Sequence, residues 1–165
     1  MARNFEILHD PDAFVPPSTA HADRGVLQNR AYLEFDASAV EAMYSKAVQM
    51  PAAYTGSGTL KADIHYSCAV ATNKVDFEIS VEALTDGDAV DMHAASSFDS
   101  VNAGNETVPA TIGYLGVLTI TLTNKDSVAA GDMFRIKLER DADDATDDTA
   151  AGYARVWTVC VYEEV

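Results

Sequence analysis

The sequence predicts an all-β protein, an antiparallel β-sandwich for which a jelly roll is the favoured wiring. Apolar and polar residues alternate with a period of two over long stretches, which buries one face of a strand and leaves the other in water. About eight such segments follow one another at intervals of roughly a dozen residues, with no convincing helix between them. A chain of 165 residues is long enough to bury a core of its own.

The alternation is clearest between Thr59 and Leu84. It predicts two strands joined by a tight turn near Thr72 and Asn73 and paired as a hairpin. Shifting either strand by one residue would turn its charged residues toward the core, so the register is well determined. The apolar residues are Leu60, Ala62, Ile64, Tyr66, Cys68 and Val70, followed by Val75, Phe77, Ile79, Val81 and Ala83.

Further strands are predicted from Ala31, within 39–50, and over 114–124, 132–141 and 153–165. Residues 39–50 also suit a helix, but an alternation that continues into Pro51 favours a strand. The last segment is apolar on both sides, which is typical of a central strand or of one whose second face is covered by a partner. Residues 84–110 are predicted to form mostly loop, and the stretch DADDATDDTAAG to form an acidic loop.

Residues 1–30 show neither period and are predicted to form an extended N-terminal arm, separate from a sandwich domain of residues 31–165. Prolines 11, 16 and 17 stiffen this stretch. A frayed tail is the alternative. Apolar anchors favour an arm that lies on a neighbouring subunit or a larger surface, and the predicted partner-binding residues are Phe5, Ile7, Leu8, Phe14 and Val15.

The formal net charge is −15, with 11 basic and 26 acidic residues. Such a chain repels nucleic acid and anionic membranes, so neither is an expected partner. No apolar run approaches the ~20 residues that a membrane span needs. The two cysteines, Cys68 and Cys160, lie in predicted strands and are expected to be buried free thiols made in a reducing cytoplasm.

The sequence contains no motif of a catalytic nucleophile, and its four histidines are never paired at metal-ligand spacing. We therefore expect no enzyme activity, no cofactor and no catalytic metal. The acidic loop is expected to be solvated, but its closely spaced oxygen ligands leave calcium as an alternative, with Asp141, Asp143 and Asp144 as candidates.

Basic residues are concentrated on two late strands of this acidic chain. Arg135, Lys137 and Arg140, with Arg155 as a further candidate, are predicted to lie on the outer face, where they could meet the acidic loop of a neighbouring copy and close a ring such as a trimer. Trp157 is a further candidate for this oligomer interface. The alternative is an ordinary solvated strand face with mixed charge.

Several turn and strand segments resemble a known group of proteins. They are Met50-Pro51, Tyr54 to Leu60, Ser97 to Ser100, Tyr114-Leu115, Thr119 to Asn124, Ala130 to Arg135 and Arg140-Asp141. Together with the acidic loop and the closing strand, they resemble small β-sandwich proteins among the structural proteins of tailed bacteriophages. The resemblance covers residues 31–165, and none of its motifs is catalytic.

Within that group, a compact acidic jelly roll with an arm resembles a capsid decoration, or cement, protein. The resemblance implies a homo-oligomer, most often a trimer, on the outer surface of the virion head, made in the host cytoplasm. Its partner would be the major capsid protein, whose neighbouring subunits it would bridge. The alternative is a tail- or fibre-associated receptor-binding module, in which the loop 85–106 and aromatic residues such as Tyr153 and Trp157 bind a glycan.

Overall fold

The computed structural model describes residues 2–93 and 96–165. It confirms the predicted fold class: two antiparallel six-stranded sheets pack face to face as a sandwich. The strands are β1 (Arg3–His9), β2 (Phe14–Val15), β3 (Asp23–Leu27), β4 (Arg30–Phe35), β5 (Glu41–Ser45), β6 (Val48–Gln49), β7 (Thr59–Cys68), β8 (Lys74–Leu84), β9 (Asn102–Thr107), β10 (Gly116–Thr121), β11 (Met133–Arg140) and β12 (Ala154–Glu164).

Sheet A has the order β10-β7-β12-β4-β3, and β1 also pairs with β12. Sheet B has the order β2-β5-β11-β8-β9, and β6 also pairs with β11. From β4 onward the chain crosses repeatedly between the two sheets, which is the wiring expected of a jelly roll. Among the described residues, the helical content is one 3-10 turn at Pro11–Ala13. None of the described helical residues forms a segment long and apolar enough to cross a membrane.

The two strands predicted between Thr59 and Leu84 are present, but they do not pair as a hairpin. β7 pairs with β10 and β12 in sheet A, whereas β8 pairs with β9 and β11 in sheet B. Their apolar faces meet across the core, where the rings of Tyr66 and Phe77 lie 5.9 Å apart. A strand pattern identifies the buried face and leaves the paired neighbour undetermined, so a hairpin and two facing strands look alike in sequence.

The N-terminal residues are extended, but the predicted division of the chain at residue 30 differs from what the structure shows. β1 pairs with β12, β2 with β5 and β3 with β4, so residues 3–27 contribute strands to both sheets. Ile7 and Phe14 are buried in the common core. Their burial explains why this stretch contains apolar residues. It shows no regular alternation over its whole length because it is divided into three short strands that belong to two sheets.

The predicted central strand at the C-terminus is β12, which pairs with β7 on one side and with β1 and β4 on the other. Its inner face is part of the core. On its outer face, the guanidinium of Arg3 lies 3.6 Å from the centroid of the Tyr162 ring, and Cys160 is also buried. Both cysteines are buried free thiols, as expected.

Candidate functional site

Three aromatic side chains gather on the outer face of sheet A and form what we call the aromatic surface: Tyr32, Tyr153 and Trp157, with Arg155 among them. The rings of Tyr32 and Trp157 meet edge to face, 5.7 Å apart at an interplanar angle of 67°. The Arg155 guanidinium lies 4.6 Å from the Tyr32 centroid and 4.7 Å from the Tyr153 centroid. The site is therefore a continuous aromatic and cationic patch on an open sheet.

The strand registers place these side chains together. Arg155 on β12 pairs with Glu34 on β4, so Tyr32 and Arg155 project from the same face of adjacent strands. The register of β12 against β7 shifts at Trp157, which is the extra residue of a β-bulge. The bulge leaves the indole half-buried, and its Nε1 donates a hydrogen bond to the Ser67 hydroxyl at 3.1 Å.

Gly25 supports the aromatic surface from beneath. It is directly opposite Tyr32 in the β3–β4 pair, and a Cβ atom at this position would overlap the Tyr32 ring. Glycine therefore allows the Tyr32 ring to extend over β3, because a larger residue at position 25 would displace the ring.

The charge of the aromatic surface is balanced locally. Arg155 Nε donates to Glu34 Oε2 at 2.7 Å. The guanidinium therefore presents hydrogen-bond donors and a planar face with little net charge around it. Tyr153 keeps 40% of its surface exposed. Flat rings beside polar donors are suited to a ligand with one apolar face and a hydroxylated rim.

The outer face of sheet B is different, because the described part of the loop 85–101 folds over it. Asp99 N donates to the Val81 carbonyl at 2.8 Å, and Ser97 N donates to Glu82 Oε1 at 2.6 Å. The Phe98 ring packs 5.6 Å from Tyr44. The prediction that this long stretch is mostly loop is correct, although its end forms β9, which the sequence pattern did not reveal.

A groove of about 510 Å³ lies between this loop and sheet B. Its floor contains Tyr44, Glu82 and Arg135, and Met92 and Met133 line its walls. Glu82 and Arg135 form an ion pair at the base. Burial raises the pKa of Glu82, but hydrogen bonds from Arg135 and Ser97 outweigh that effect, and the net pKa is lowered. The charges of Glu82 and Arg135 therefore neutralise each other at the floor of the groove.

The predicted partner-binding residues of the N-terminal arm differ in how deeply they are buried. Ile7 and Phe14 are 9% and 1% exposed and serve the protein's own core, so they do not present an anchor to a partner. Phe5 is partly buried against the Tyr54 ring at 5.9 Å. Leu8 and Val15 remain exposed, and they are the members of the set that a partner could contact.

The predicted basic oligomer interface is not a single surface. Arg135 and Lys137 lie on the outer face of β11, where each forms an ion pair with a carboxylate of its own chain. Trp157 lies on the opposite sheet. Arg140 was assigned wrongly to the outer face, because it is 0% exposed and forms a bidentate pair with Asp148 at 2.8 and 2.9 Å. It follows Phe134, Ile136 and Leu138 in the inward alternation, so the sequence contained this signal.

The three calcium candidates of the acidic loop do not form one cluster. Asp144 Oδ1 accepts hydrogen bonds from the backbone N–H groups of Thr146 and Asp147 at 2.7 and 3.1 Å, so it caps its own turn. Asp143 is exposed. Asp141 instead lies close to Asp76 and Glu78 of β8, two residues that the sequence analysis did not connect with it.

The glycan alternative also combined features that the structure separates. The described part of the loop 85–101 covers sheet B, whereas Tyr153 and Trp157 belong to the outer face of sheet A. Sequence reasoning missed Tyr32, Arg155 and Gly25 as members of the aromatic surface. Their alternation marks an exposed face, but their proximity to Trp157 depends on the pairing of β3, β4 and β12.

Comparison with known proteins gives a fold and no family. No protein-family model matches the chain, and no curated protein matches it in sequence. Solved carbohydrate-binding modules (CBMs) share its architecture. The CBM35 of Abf62 from Cellvibrio japonicus matches with a TM-score of 0.55 and 10% identity, covering 98% of this chain and 95% of that one.

Two further modules align over nearly the full length of both chains, each with a TM-score of 0.50. The C-terminal CBM6 of LamC, a laminarinase from Zobellia galactanivorans, is 12% identical and covers 96% of this chain and 100% of that one. The CBM22-2 xylan-binding domain of Paenibacillus barcinonensis Xyn10C is 10% identical, with coverage of 96% and 99%. At such low identity the likeness establishes a shared fold.

Proposed function

We propose that this protein is a non-catalytic binding module whose aromatic surface binds a glycan. The observation that carries the proposal is the grouping of Tyr32, Tyr153 and Trp157 around Arg155 on an open sheet. A sugar ring has an apolar face of C–H groups that packs on an aromatic ring, and hydroxyl groups at its rim that pair with polar neighbours. The aromatic surface offers both kinds of contact.

The shared fold supports this proposal without establishing it. The modules with the same architecture are carbohydrate-binding modules, and one is described as xylan-binding. A fold alone does not determine function, so the argument depends on the residues of the site.

The charge of the chain narrows the class of glycan. A formal net charge of −15 repels polyanions, and the one cation of the aromatic surface is already paired with Glu34. The proposed ligand is therefore a neutral polysaccharide, bound through stacking and hydrogen bonds.

The proposal can be tested by affinity electrophoresis and calorimetry on a panel of neutral and anionic polysaccharides, beginning with xylan, laminarin and alginate. The wild type is expected to bind a neutral member saturably. Trp157→Ala should weaken that binding at least about fivefold, because stacking on the half-buried indole ring contributes about 1 kcal/mol or more. Tyr44→Ala, which changes an aromatic residue of the groove, should leave it within about twofold.

Two results would contradict the proposal. The first is saturable binding that Tyr44→Ala abolishes and Trp157→Ala retains, which would place the ligand in the groove. The second is no binding to any polysaccharide of the panel by a folded wild-type protein.

A second candidate function is the capsid decoration role implied by the phage resemblance. One surface favours it: the segment before and within β10 exposes four large apolar side chains. β10 is also an edge strand of sheet A, with backbone groups available to another chain. The residues are Ile112, Tyr114, Leu115 and Val117, which are 62%, 65%, 61% and 41% exposed.

In this second proposal, the apolar edge joins copies of the chain into a trimer on a virion head, and the outward acidic surface faces solvent. Light scattering should then give a trimer mass that Leu115→Asp reduces to a monomer mass. Val26→Asp, at an equally exposed apolar residue of β3, should leave the trimer intact. A monomeric wild type that does not co-sediment with phage heads would exclude this role.

A further inference from the structure

Three carboxylates from two elements converge on the outer face of sheet B, at the end remote from the groove. They belong to Asp76 and Glu78 of β8 and to Asp141, which follows β11 directly. One oxygen from each lies within 4.8 Å of the others. We call this group the carboxylate cluster.

The pairing of β8 with β11 creates the carboxylate cluster. Arg140 is opposite Phe77, and the Asp141 N–H continues the ladder by donating to the Asp76 carbonyl at 3.4 Å. Asp76 and Glu78 are two residues apart on one strand and share its outer face. Negative side chains therefore sit on adjacent strands at positions where like charges destabilise a sheet.

Within the carboxylate cluster, the Asp76 carboxylate is buried without a compensating hydrogen bond or ion pair among the described residues. Asp76 is 4% exposed, and its Oδ1 has no hydrogen-bond partner among the described residues. A buried carboxylate without partners is costly, and buried polar groups are nearly always paired. This carboxylate is one of the three that converge, so the unpaired group is aimed into the carboxylate cluster.

The neighbouring cations are engaged elsewhere. Lys137 pairs with Glu139 at 3.2 Å, and Lys74 pairs with Asp147 at 3.6 Å. Arg140 points to the inner side and is saturated by Asp148 and by backbone carbonyls. Within the described residues, no basic side chain forms an ion pair with Asp76, Glu78 or Asp141.

The proton affinities of the carboxylate cluster agree with this geometry. Burial, together with repulsion from Glu78 and Asp141, raises the pKa of Asp76 to about 7. A hydrogen bond with Asp143, burial and neighbouring carboxylates raise the pKa of Asp141 to about 6. Burial and the charge of Asp141 also raise the pKa of Glu78. Burial and mutual repulsion, with no compensating positive charge, are the causes of these raised pKa values.

We propose that Asp76, Glu78 and Asp141 bind one calcium ion. All-oxygen ligands suit a hard divalent cation, and Ca²⁺ accepts them at roughly 2.3–2.6 Å in flexible geometry, with water completing the shell. Oxygens no more than 4.8 Å apart can be spanned by one ion of this size.

The position of the ion gives it a structural consequence. Arg140 already holds the acidic loop from the inner side through Asp148, Ala150 and Gly152. Calcium bound to Asp141 and to β8 holds the start of the same loop from the outer side. The ion therefore ties the acidic loop to sheet B at the N-terminal end of β8, where the carboxylates of the loop would otherwise repel those of the strand.

The test is a titration of the chelator-treated full chain with CaCl₂, followed by calorimetry and by thermal melting. The wild type is expected to bind one ion per chain and to melt at a higher temperature with calcium than without it. Asp76→Asn and Glu78→Gln should each weaken binding at least about tenfold. Asp86→Asn removes the same charge from an exposed residue outside the carboxylate cluster and should leave binding within about twofold.

Asp76→Asn also has an expected effect without calcium. It removes the buried unpaired charge, so the calcium-free variant should melt above the calcium-free wild type, which shows that the variant is folded. Three results would overturn the proposal: no saturable binding by the wild type below about 10 mM calcium, binding that both cluster variants retain, or magnesium binding as tight as that of calcium.

Discussion

The two outer faces of the sandwich differ in how they deal with polar groups. On sheet A, Arg155 is paired with Glu34 and stacked between tyrosine rings, so the aromatic surface is close to neutral and open. On sheet B, a long loop covers one end, and unpaired carboxylates occupy the other. The two proposals therefore assign an uncharged ligand to one face and a cation to the other.

The same end of sheet B offers an internal contrast. Arg140 and Asp148 form a buried pair whose donors are all satisfied, and Asp148 Oδ2 also accepts the N–H of Asp76 at 3.1 Å. The Asp76 carboxylate, one strand away, has no such partner. Because the chain pairs one buried charge so completely, the neighbouring carboxylate without a partner supports the proposal that Asp76 binds a cation.

The largest expected effect comes from breaking that buried pair. Asp148→Ala leaves the Arg140 guanidinium buried without its carboxylate and should lower the free energy of unfolding by about 3–5 kcal/mol. Asp147→Ala is the matched control, because it breaks a half-exposed pair with Lys74 and should cost less than about 1 kcal/mol. Urea unfolding of both variants measures the difference, and equal losses would show that Arg140 does not depend on Asp148.

A second prediction concerns the pH dependence of stability that His9 of β1 causes. His9 is 1% exposed, its Nε2 has no hydrogen-bond partner among the described residues, and burial lowers its pKa to about 4. The unfolded chain takes up this proton near pH 6.5, whereas the folded chain resists it. The neutral, buried His9 side chain therefore makes its full contribution to the free energy of unfolding above pH 6.5. That free energy falls by up to about 3 kcal/mol as the pH decreases toward 4.

The pH prediction is best checked as a difference between the wild type and His9→Leu, measured by urea unfolding at several pH values. The carboxylates with raised pKa values change stability in the opposite direction over part of this range, and the difference removes their contribution. A variant with the same pH dependence as the wild type would contradict the role of His9.

A smaller effect is expected where the aromatic surface is supported from below. Gly25→Ala places a Cβ atom against the Tyr32 ring, which must then shift from its present edge-to-face contact with Trp157. Glycan affinity should fall several-fold, with a loss of stability of roughly 1 kcal/mol or less, because the ring can shift into solvent. Val26→Ala on the same strand should change neither quantity measurably, and an unchanged affinity for Gly25→Ala would remove Tyr32 from the site.

The sequence predicted the strands better than their partners. The alternation in β7, β8, β10 and β11 was enough to locate each strand, since it records which face is buried. β9 was missed because its small and polar residues show no alternation, and its Gly104 packs beneath Ile120. The supposed hairpin of β7 and β8 failed because periodicity does not say which strand lies alongside.

The sites were harder to predict than the fold for the same reason. Trp157 and Tyr153 could be named as glycan candidates from residue type, but Tyr32 and Gly25 join them only through the β3–β4–β12 pairing. Asp141 could be named from the acidic run, but Asp76 and Glu78 approach it only through the β8–β11 register. Arg140 was misplaced because charge was weighed above an alternation that already pointed inward.

The single tryptophan of the chain allows the most direct test of the proposed function. Its fluorescence reports on the aromatic surface alone, because Trp157 lies in that surface. Titration with the neutral polysaccharide that the wild type binds should change the tryptophan emission saturably, with the same midpoint as calorimetry. Binding detected by calorimetry with no change in the emission of Trp157 would contradict the account.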